Sequence, residues 1–222
     1  MKLLALDAST EALSVALFDS HAPNATTEIF EIAPRAHARR LLPAAHELMA
    51  AAGWNMSTLD GIAFARGPGA FTGLRIAAGL VQGLAAGVDR PVVGVSTLAA
   101  LAARSFDAEP NVSIVQVVQD ARMGEIYTAL FQRSELPEPS DTERVIAPAD
   151  LDVDRTAARA GNGWSLVYQA QPCLDAVSID IDSPHASDIA RLAWPIFEAG
   201  GGQPAANALP VYVRDDVARK PR

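Results

Sequence analysis

Arg66-Gly67-Pro68-Gly69-Ala70-Phe71-Thr72-Gly73-Leu74-Arg75 follows a short apolar run, Gly61 to Ala65, and opens a long segment rich in alanine and glycine. A glycine-rich turn between a strand and a helix can cradle phosphate, so its spacing is the first thing to test. The P-loop pattern needs Gly-x4-Gly-Lys-Ser/Thr. Here Gly67 and Gly69 each meet a non-glycine five residues on, and Arg75 is not followed by Ser or Thr. The dinucleotide pattern breaks as well, because its third glycine slot holds Thr72. The stretch therefore reads as a structural strand-to-helix turn, with Thr72 as the N-cap of a helix over Gly73 to Gly87.

That helix carries two stripes. Leu74, Ala77, Val81, Leu84 and Val88 follow 3–4 spacing and are expected to face a sheet. Gly79, Gly83 and Gly87 recur every four residues on a different face. Each interior glycine costs about 1 kcal/mol relative to alanine, so glycines in register call for a reason. The reason expected is close approach of another helix, either a neighbour in the same domain or one from a partner protein.

Outward from this turn, the chain is built of short apolar runs and helical stripes. Lys2 to Asp7, Leu13 to Phe18 and Thr27 to Ile32 read as three strands of a meander. Arg35 to Ala52 reads as a helix with Leu41, Ala45, Leu48 and Ala52 on one stripe and Leu42 and Met49 beside it. Pro43 kinks that helix or restarts it. Pro91 to Val95 is a fifth strand after Gly61 to Ala65, and Thr97 to Arg104 a helix capped by Ser96 or Thr97. The pattern restarts after Phe106, which sets a boundary between an N-terminal domain, 1–106, and a C-terminal one, 107–222. The final segment of the second is expected to pack back on the first. Val112 to Val118 and Ile126 to Phe131 form a hairpin around Gln119 to Glu125, Arg144 to Ile146 and Val177 to Ile179 hint at short strands, and Ser187 to Ala199 is a helix. The fold class is α/β.

Composition narrows the function classes. The chain has 222 residues, is half apolar, and has only 6% aromatic side chains, so Ala, Leu and Val do most of the packing of an ordinary globular core. Residues 1–104 carry 8 basic and 8 acidic side chains, whereas 105–222 carry 10 and 18. An acidic second half does not hold a polyanion by itself, since such binding draws on clustered Lys and Arg. The apolar stretch Ile76 to Val88 is interrupted by Gln82 and is short of the roughly 20 residues that span a bilayer. No cationic start leads into an apolar core and a cleavage site, so the chain reads as cytoplasmic with no membrane partner. The single cysteine, Cys173, excludes an intrachain disulfide and reads as a structural thiol.

Few residues offer chemistry. Asp7 ends the first strand and is followed by Ser9 and Thr10, a set that could position a metal-bound phosphate. Asp120 holds the corresponding place in the second half. No basic residue flanks Asp7 to complete a phosphate clamp. The Asp120, Arg122 and Glu125 group reads as turn-stabilising ion pairs. His37 and His46 are nine apart, a spacing that does not bring two imidazoles to one helix face, while His21 and His185 lie in loops without a ligand pattern. No Gly-x-Ser-x-Gly elbow is present.

Six segments together form a specific signature: LALDASTEALSVALF (4–18), HARRLLPAAHELMAAAG (37–53), GIAFARGPGAFTGLRIAAGLVQGLA (61–85), PVVGVSTLAALA (91–102), DARMGEIY (120–127) and PVYVRDDVA (210–218). They resemble the bacterial TsaB (YeaZ) family. The resemblance is dense over 1–131, returns at the C-terminus, and is thin between. It implies an actin-like ATPase (ASKHA) fold of two RNase H-like subdomains with mixed sheets. It also implies a role in making N6-threonylcarbamoyladenosine in tRNAs that read ANN codons, as the non-catalytic paralogue of a TsaD-like transferase. A TsaE-like ATPase docks on that pair, the family self-associates, and tRNA is reached only through the complex. The implied chain has no cofactor of its own, with ATP or ADP and Mg at the complex interface. The family's helix bundle across the subunit interface maps onto His37, Leu41, Leu42, Ala45, Leu48, Arg75, Ile76, Gly79, Leu80, Gly83 and Gly87. A metal-binding paralogue would need closely spaced histidines on the first long helix, and this chain offers only His37 and His46.

The expectation is thus an adaptor that contributes surface rather than chemistry. One rival is an autonomous actin-like ATPase or phosphotransferase using Asp7, Ser9 and Asp120. The other is an RNase H-like nuclease, which needs three or four converging carboxylates where only Asp7 and Asp120 are well placed.

Overall fold

A computed structural model describes residues 1–22, 25–172 and 179–213. Cys173, the Val177–Ser178 part of one expected strand, and most of the C-terminal signature segment lie outside the described residues.

In chain order the elements are β1 (Lys2–Asp7), β2 (Ala12–Asp19), β3 (Thr27–Ile32), α1 (His37–Ala52), β4 (Gly61–Gly67), α2 (Phe71–Val88), β5 (Val92–Ser96) and α3 (Thr97–Ala108). There follow β6 (Ile114–Asp120), β7 (Ile126–Gln132), β8 (Arg144–Ile146), β9 (Ala158–Ala160), α4 (Trp164–Ala170) and α5 (Ala186–Glu198). The first sheet has the order β3-β2-β1-β4-β5. Its first three strands form an antiparallel meander, and β4 and β5 run parallel to β1 and to each other. The second sheet, β8-β7-β6-β9, repeats the first four positions: two antiparallel steps, then a strand parallel to the opening one. Asp7 and Asp120 therefore end topologically equivalent strands.

Alternation along β1 sorts the core. Leu4 and Leu6 point to a layer formed by α1 and α2, with Leu41, Ala45, Leu48, Ala77 and Val81. Leu3 and Ala5 point to the opposite layer, formed by α5 with Ile189, Ala193 and Phe197. Every side chain of β1 after Lys2 is buried, as expected of a central strand covered on both faces. The second sheet is covered by α3, through Leu98, Leu101 and Phe106, and by α4, through Trp164 and Val167. The helix that runs through position 107 thus belongs to the core of the second sheet. The last helix returns to the first, so the lobes exchange helices rather than part at one point in the chain. Arg133 holds the crossing segment: its Nη2 donates to the carbonyls of Phe106, Glu109, Pro110 and Val112 at 2.7–3.1 Å, and its guanidinium sits over the Phe106 ring.

The helix boundaries depart from expectation at one instructive place. Ser96 caps α3, accepting from the amides of Leu98 and Ala99. Thr72 caps nothing; α2 begins at Phe71 with Ala70 as its N-cap residue and no side-chain cap. The Ala70 amide is instead given to the Ser9 carbonyl at 2.7 Å, which draws the chain onto the loop after β1 and starts the helix two residues early. Gly73 is then pressed against that loop, where a Cβ would lie 1.8 Å from the Ala8 oxygen. Pro43 lies within a continuous α1. By length and composition α2 could cross a membrane, a longer apolar helix than the sequence reading allowed, but its inner face is committed to the first sheet.

Leu74, Ala77 and Val81 face the sheet as expected, with Leu84 half-buried behind them. A Cβ at Gly79, Gly83 or Gly87 would meet nothing within 4 Å. The expected helix neighbour within the same domain is therefore absent among the described residues. These two kinds of glycine should respond oppositely to alanine. Gly73→Ala should cost about 2–3 kcal/mol of stability through overpacking against Ala8. Gly83→Ala should add about 1 kcal/mol by helix propensity alone. Urea unfolding of the two variants checks this, and equal shifts would remove the contrast.

Candidate functional site

The carboxyl ends of β1 and β6 face each other across a cleft of about 470 Å³ lined from both lobes. Ser9, Thr10 and Asp120 all line it, so three of the four residues singled out for phosphate chemistry do converge. Asp7 does not. It is fully buried beneath the loop, on the α5 side of the sheet, with Oδ1 accepting the Ser9 amide at 2.9 Å and Oδ2 without a hydrogen-bond partner. Burial raises its pKa to about 6 from the ordinary 3.8. The nearby Ser9 hydroxyl and amide, the charge of His185 and the Ala8 amide partly offset that rise. The Ser9 hydroxyl is buried beside that carboxyl.

Asp120 is engaged locally. Its Oδ1 accepts the Arg122 amide at 2.7 Å, its Oδ2 lies 3.6 Å from Arg122 Nη1, and its own amide donates to Asn162 Oδ1 at 2.9 Å. Arg122 also reaches across the mouth to Glu11, at 2.7 Å, tying one lobe to the other. The ion-pair reading of this turn holds for Asp120 and Arg122, with Glu11 as the partner the sequence did not reveal. The backbone of Glu125 closes the turn: its carbonyl accepts from the Ala121 amide and its amide donates to the Arg122 carbonyl. Arg122 is the one basic residue among those lining the cleft. A site of this kind has little with which to neutralise a phosphate chain.

The second locus is the outer face of α1 and α2. Leu42, Arg75, Gly79, Gly83 and Gly87 are exposed there, and Ile76 and Leu80 are half-buried. His37, Leu41, Ala45 and Leu48 are buried in the core, at 8%, 1%, 1% and 8% exposure, so they support this face from beneath and do not form it. His37 Nε2 lies 3.2 Å from the Ala12 carbonyl, His46 is exposed, and no three His, Cys, Asp or Glu among the described residues are placed to hold a metal.

Two features escaped the sequence reading. Arg75 packs 3.7 Å over the Phe71 ring and donates from Nε to Tyr212 Oη at 2.9 Å. The four-residue spacing of Phe71 and Arg75 was a legible signal; Tyr212, 137 residues further on, was not. His185 lies 2.8 Å from Glu28 Oε2 and stacks on Phe30. Ser14 Oγ links Glu28 Oε1 to the Ala186 amide and so anchors the start of α5. Burial would raise the Glu28 pKa, but the bonds from His185 and Ser14 outweigh it and hold the carboxylate low.

A family model described as "TsaD: tRNA N6-adenosine threonylcarbamoyltransferase" matches residues 29–160. The tRNA threonylcarbamoyladenosine biosynthesis protein TsaB of Escherichia coli K12 is 36% identical, over 99% of this chain and 97% of its own. The chain belongs to the TsaB (YeaZ) family. The Haemophilus influenzae TsaB is 35% identical over 99% of this chain and 96% of its own. Among solved structures, YeaZ from Pseudomonas aeruginosa superposes with a TM-score of 0.85 at 41% identity, covering 95% of this chain and 99% of that one. A second structure, described as similar to peptidase YeaZ from the same organism, gives 0.86 at 43%, covering 96% and 99%. With its two mixed sheets, the chain has the actin-like ATPase fold of two RNase H-like subdomains.

The buried Asp7 of this TsaB-family chain has a measurable consequence. A carboxyl whose folded pKa lies above its unfolded value binds more protons when folded, so stability falls as pH rises from 3.8 through about 6 and is level above. The difference corresponds to about 3 kcal/mol. Asp7→Asn should remove this component and be the more stable protein at pH 7.5. Urea unfolding of both proteins at pH 4.5 and 7.5 checks it, and parallel pH profiles would show that Asp7 is not the group responsible.

Proposed function

We propose that this chain is a non-catalytic adaptor that activates a TsaD-like threonylcarbamoyl transferase in N6-threonylcarbamoyladenosine modification of ANN-decoding tRNAs. The observation that carries this reading is the pairing of a sealed Asp7 with an open α2 face. The carboxylate best placed for phosphate chemistry is buried away from the cleft, while Gly79, Gly83 and Gly87 face empty space among the described residues. A helix that approaches closely across Gly79, Gly83 and Gly87 supplies the contact that this chain leaves unmade. The same face serves the transferase and, in the isolated protein, a second copy. A TsaE-like ATPase joins the pair, tRNA is held by the complex, and the setting is the cytoplasm. The chain holds no cofactor of its own, and ATP or ADP with Mg belongs to the complex interface.

The rival reading, an autonomous ATPase or phosphotransferase using Asp7, Ser9 and Asp120, is disfavoured by the separation of Asp7 from the cleft that the other two line. A nuclease needs more carboxylates than Asp7 and Asp120 supply. The peptidase wording attached to one solved relative has no counterpart in a metal set among the described residues. Turnover of ATP with Mg by the isolated chain, abolished by Asp7→Asn, would overturn the adaptor reading.

Pairing itself can be tested on the exposed residues. Leu48 is unsuitable, because it is buried and its replacement by Arg would unsettle the core. Gly83→Leu and Leu42→Arg should abolish co-elution with the TsaD-like transferase on gel filtration and leave the thermal melt within a few degrees of the parent protein. Unchanged co-elution of both variants would place the contact elsewhere.

A further inference from the structure

We infer that the cleft between the lobes is a binding site for a small, uncharged, ring-bearing molecule with hydrogen-bonding edges, and not for a phosphate ester. This rests on the cleft's own geometry and is independent of the adaptor reading. Its volume, about 470 Å³, lies within the range of small-molecule sites. Half of the eight large apolar side chains exposed among the described residues, Ile32, Phe71, Val211 and Tyr212, line the cleft. Such a concentration around a concavity marks an interaction site rather than scattered surface exposure.

The polar groups specify the edges of the ligand. Asn162 commits Oδ1 to the Asp120 amide, which leaves its NH2 to donate, and Gln119 commits Nε2 to the Asp182 carbonyl, which leaves Oε1 to accept. One spare amide donor and one spare amide acceptor suit a ring that displays both on its edge. The first turn of α2 opens beside them without a side-chain cap, so its amides can donate to a carbonyl or ring nitrogen. Ser9 lines the same rim. The charges specify what is disfavoured. Among the described residues that line the cleft, two carboxylates, Glu11 and Asp120, share a single guanidinium, that of Arg122, so a ligand with several negative charges meets a net negative lining.

The test uses adenosine as the uncharged probe and ATP with Mg as its charged counterpart, with the full chain observed by two-dimensional NMR. Adenosine should shift the side-chain amide signals of Gln119 and Asn162 saturably, with a Kd of roughly 0.1–1 mM. ATP should bind at least about tenfold more weakly. Tyr212→Ala and Asn162→Ala should each weaken adenosine about fivefold or more, on the same order as one lost contact, and Leu42→Ala, remote from the cleft, should not. Asn162 also holds the Asp120 amide, so if its variant fails to fold, Tyr212→Ala decides. Absence of saturation by adenosine, saturation without shifts at Gln119 and Asn162, or ATP binding as tightly as adenosine would each overturn the assignment.

Discussion

The seat of the Gly67–Gly73 turn on the loop after β1 is the contact on which the first lobe depends. The Ala70 amide is bound by the Ser9 carbonyl, and Gly73 approaches Ala8 so closely that no side chain fits between them. One contact thereby does two things. It sets the angle at which α2 leaves the sheet, which decides which face of α2 is buried. It also closes the loop over Asp7, whose carboxyl is then out of the cleft and shifted toward its neutral form. Withdrawal of Asp7 from the cleft and exposure of the glycine stripe of α2 are, in this chain, two results of a single packing event.

The exchange of helices makes the rest of the molecule follow from that seat. Because α3 packs on the second sheet and α5 on the first, neither lobe has a complete core without a segment that the chain enters from the other. The strap from Ile179 to His185 pairs with β9 and then anchors α5 at Glu28, while Arg133 gathers the carbonyls of the opposite crossing. The cleft walls are therefore held by backbone and core contacts. The exposed Arg122–Glu11 pair at the mouth adds little to them.

The sequence disclosed most of the first lobe because its signals are local. Alternation and length placed β1 to β5, and residue type narrowed the cap of α3 to Ser96 or Thr97, of which Ser96 makes the bonds. What it did not disclose depends on contacts distant along the chain. Thr72 has the right chemistry for a cap, yet it lost the position to a backbone bond with Ser9, sixty residues away in the chain's order of elements. Leu41 and Ala45 were rightly placed on a stripe, but a stripe has no sign: the same periodicity describes a face turned to a partner or to a sheet, and here β1 and β2 claim it. In the second lobe the strands β8 and β9 are three residues each, too short for any period to emerge. The convergence of Ser9, Thr10 and Asp120 was legible only because the two sheets repeat one topology, which gives equivalent strand ends equivalent places.

The glycines of α2 make the last step of the argument. Inside a helix each lowers stability by about 1 kcal/mol relative to alanine, because the unfolded chain has more freedom to lose. At Gly73 that cost is compelled by the Ala8 backbone. At Gly79, Gly83 and Gly87 nothing in the described chain compels it, since a methyl group would fit at each. A sum of about 3 kcal/mol is a sizeable part of the 5–15 kcal/mol that separates most folded domains from their unfolded state. A helix that carries this deficit on one exposed stripe is less stable alone than its length allows. A backbone packed against that stripe from outside would recover what a methyl group now forgoes, so association across it would be coupled to folding of this lobe.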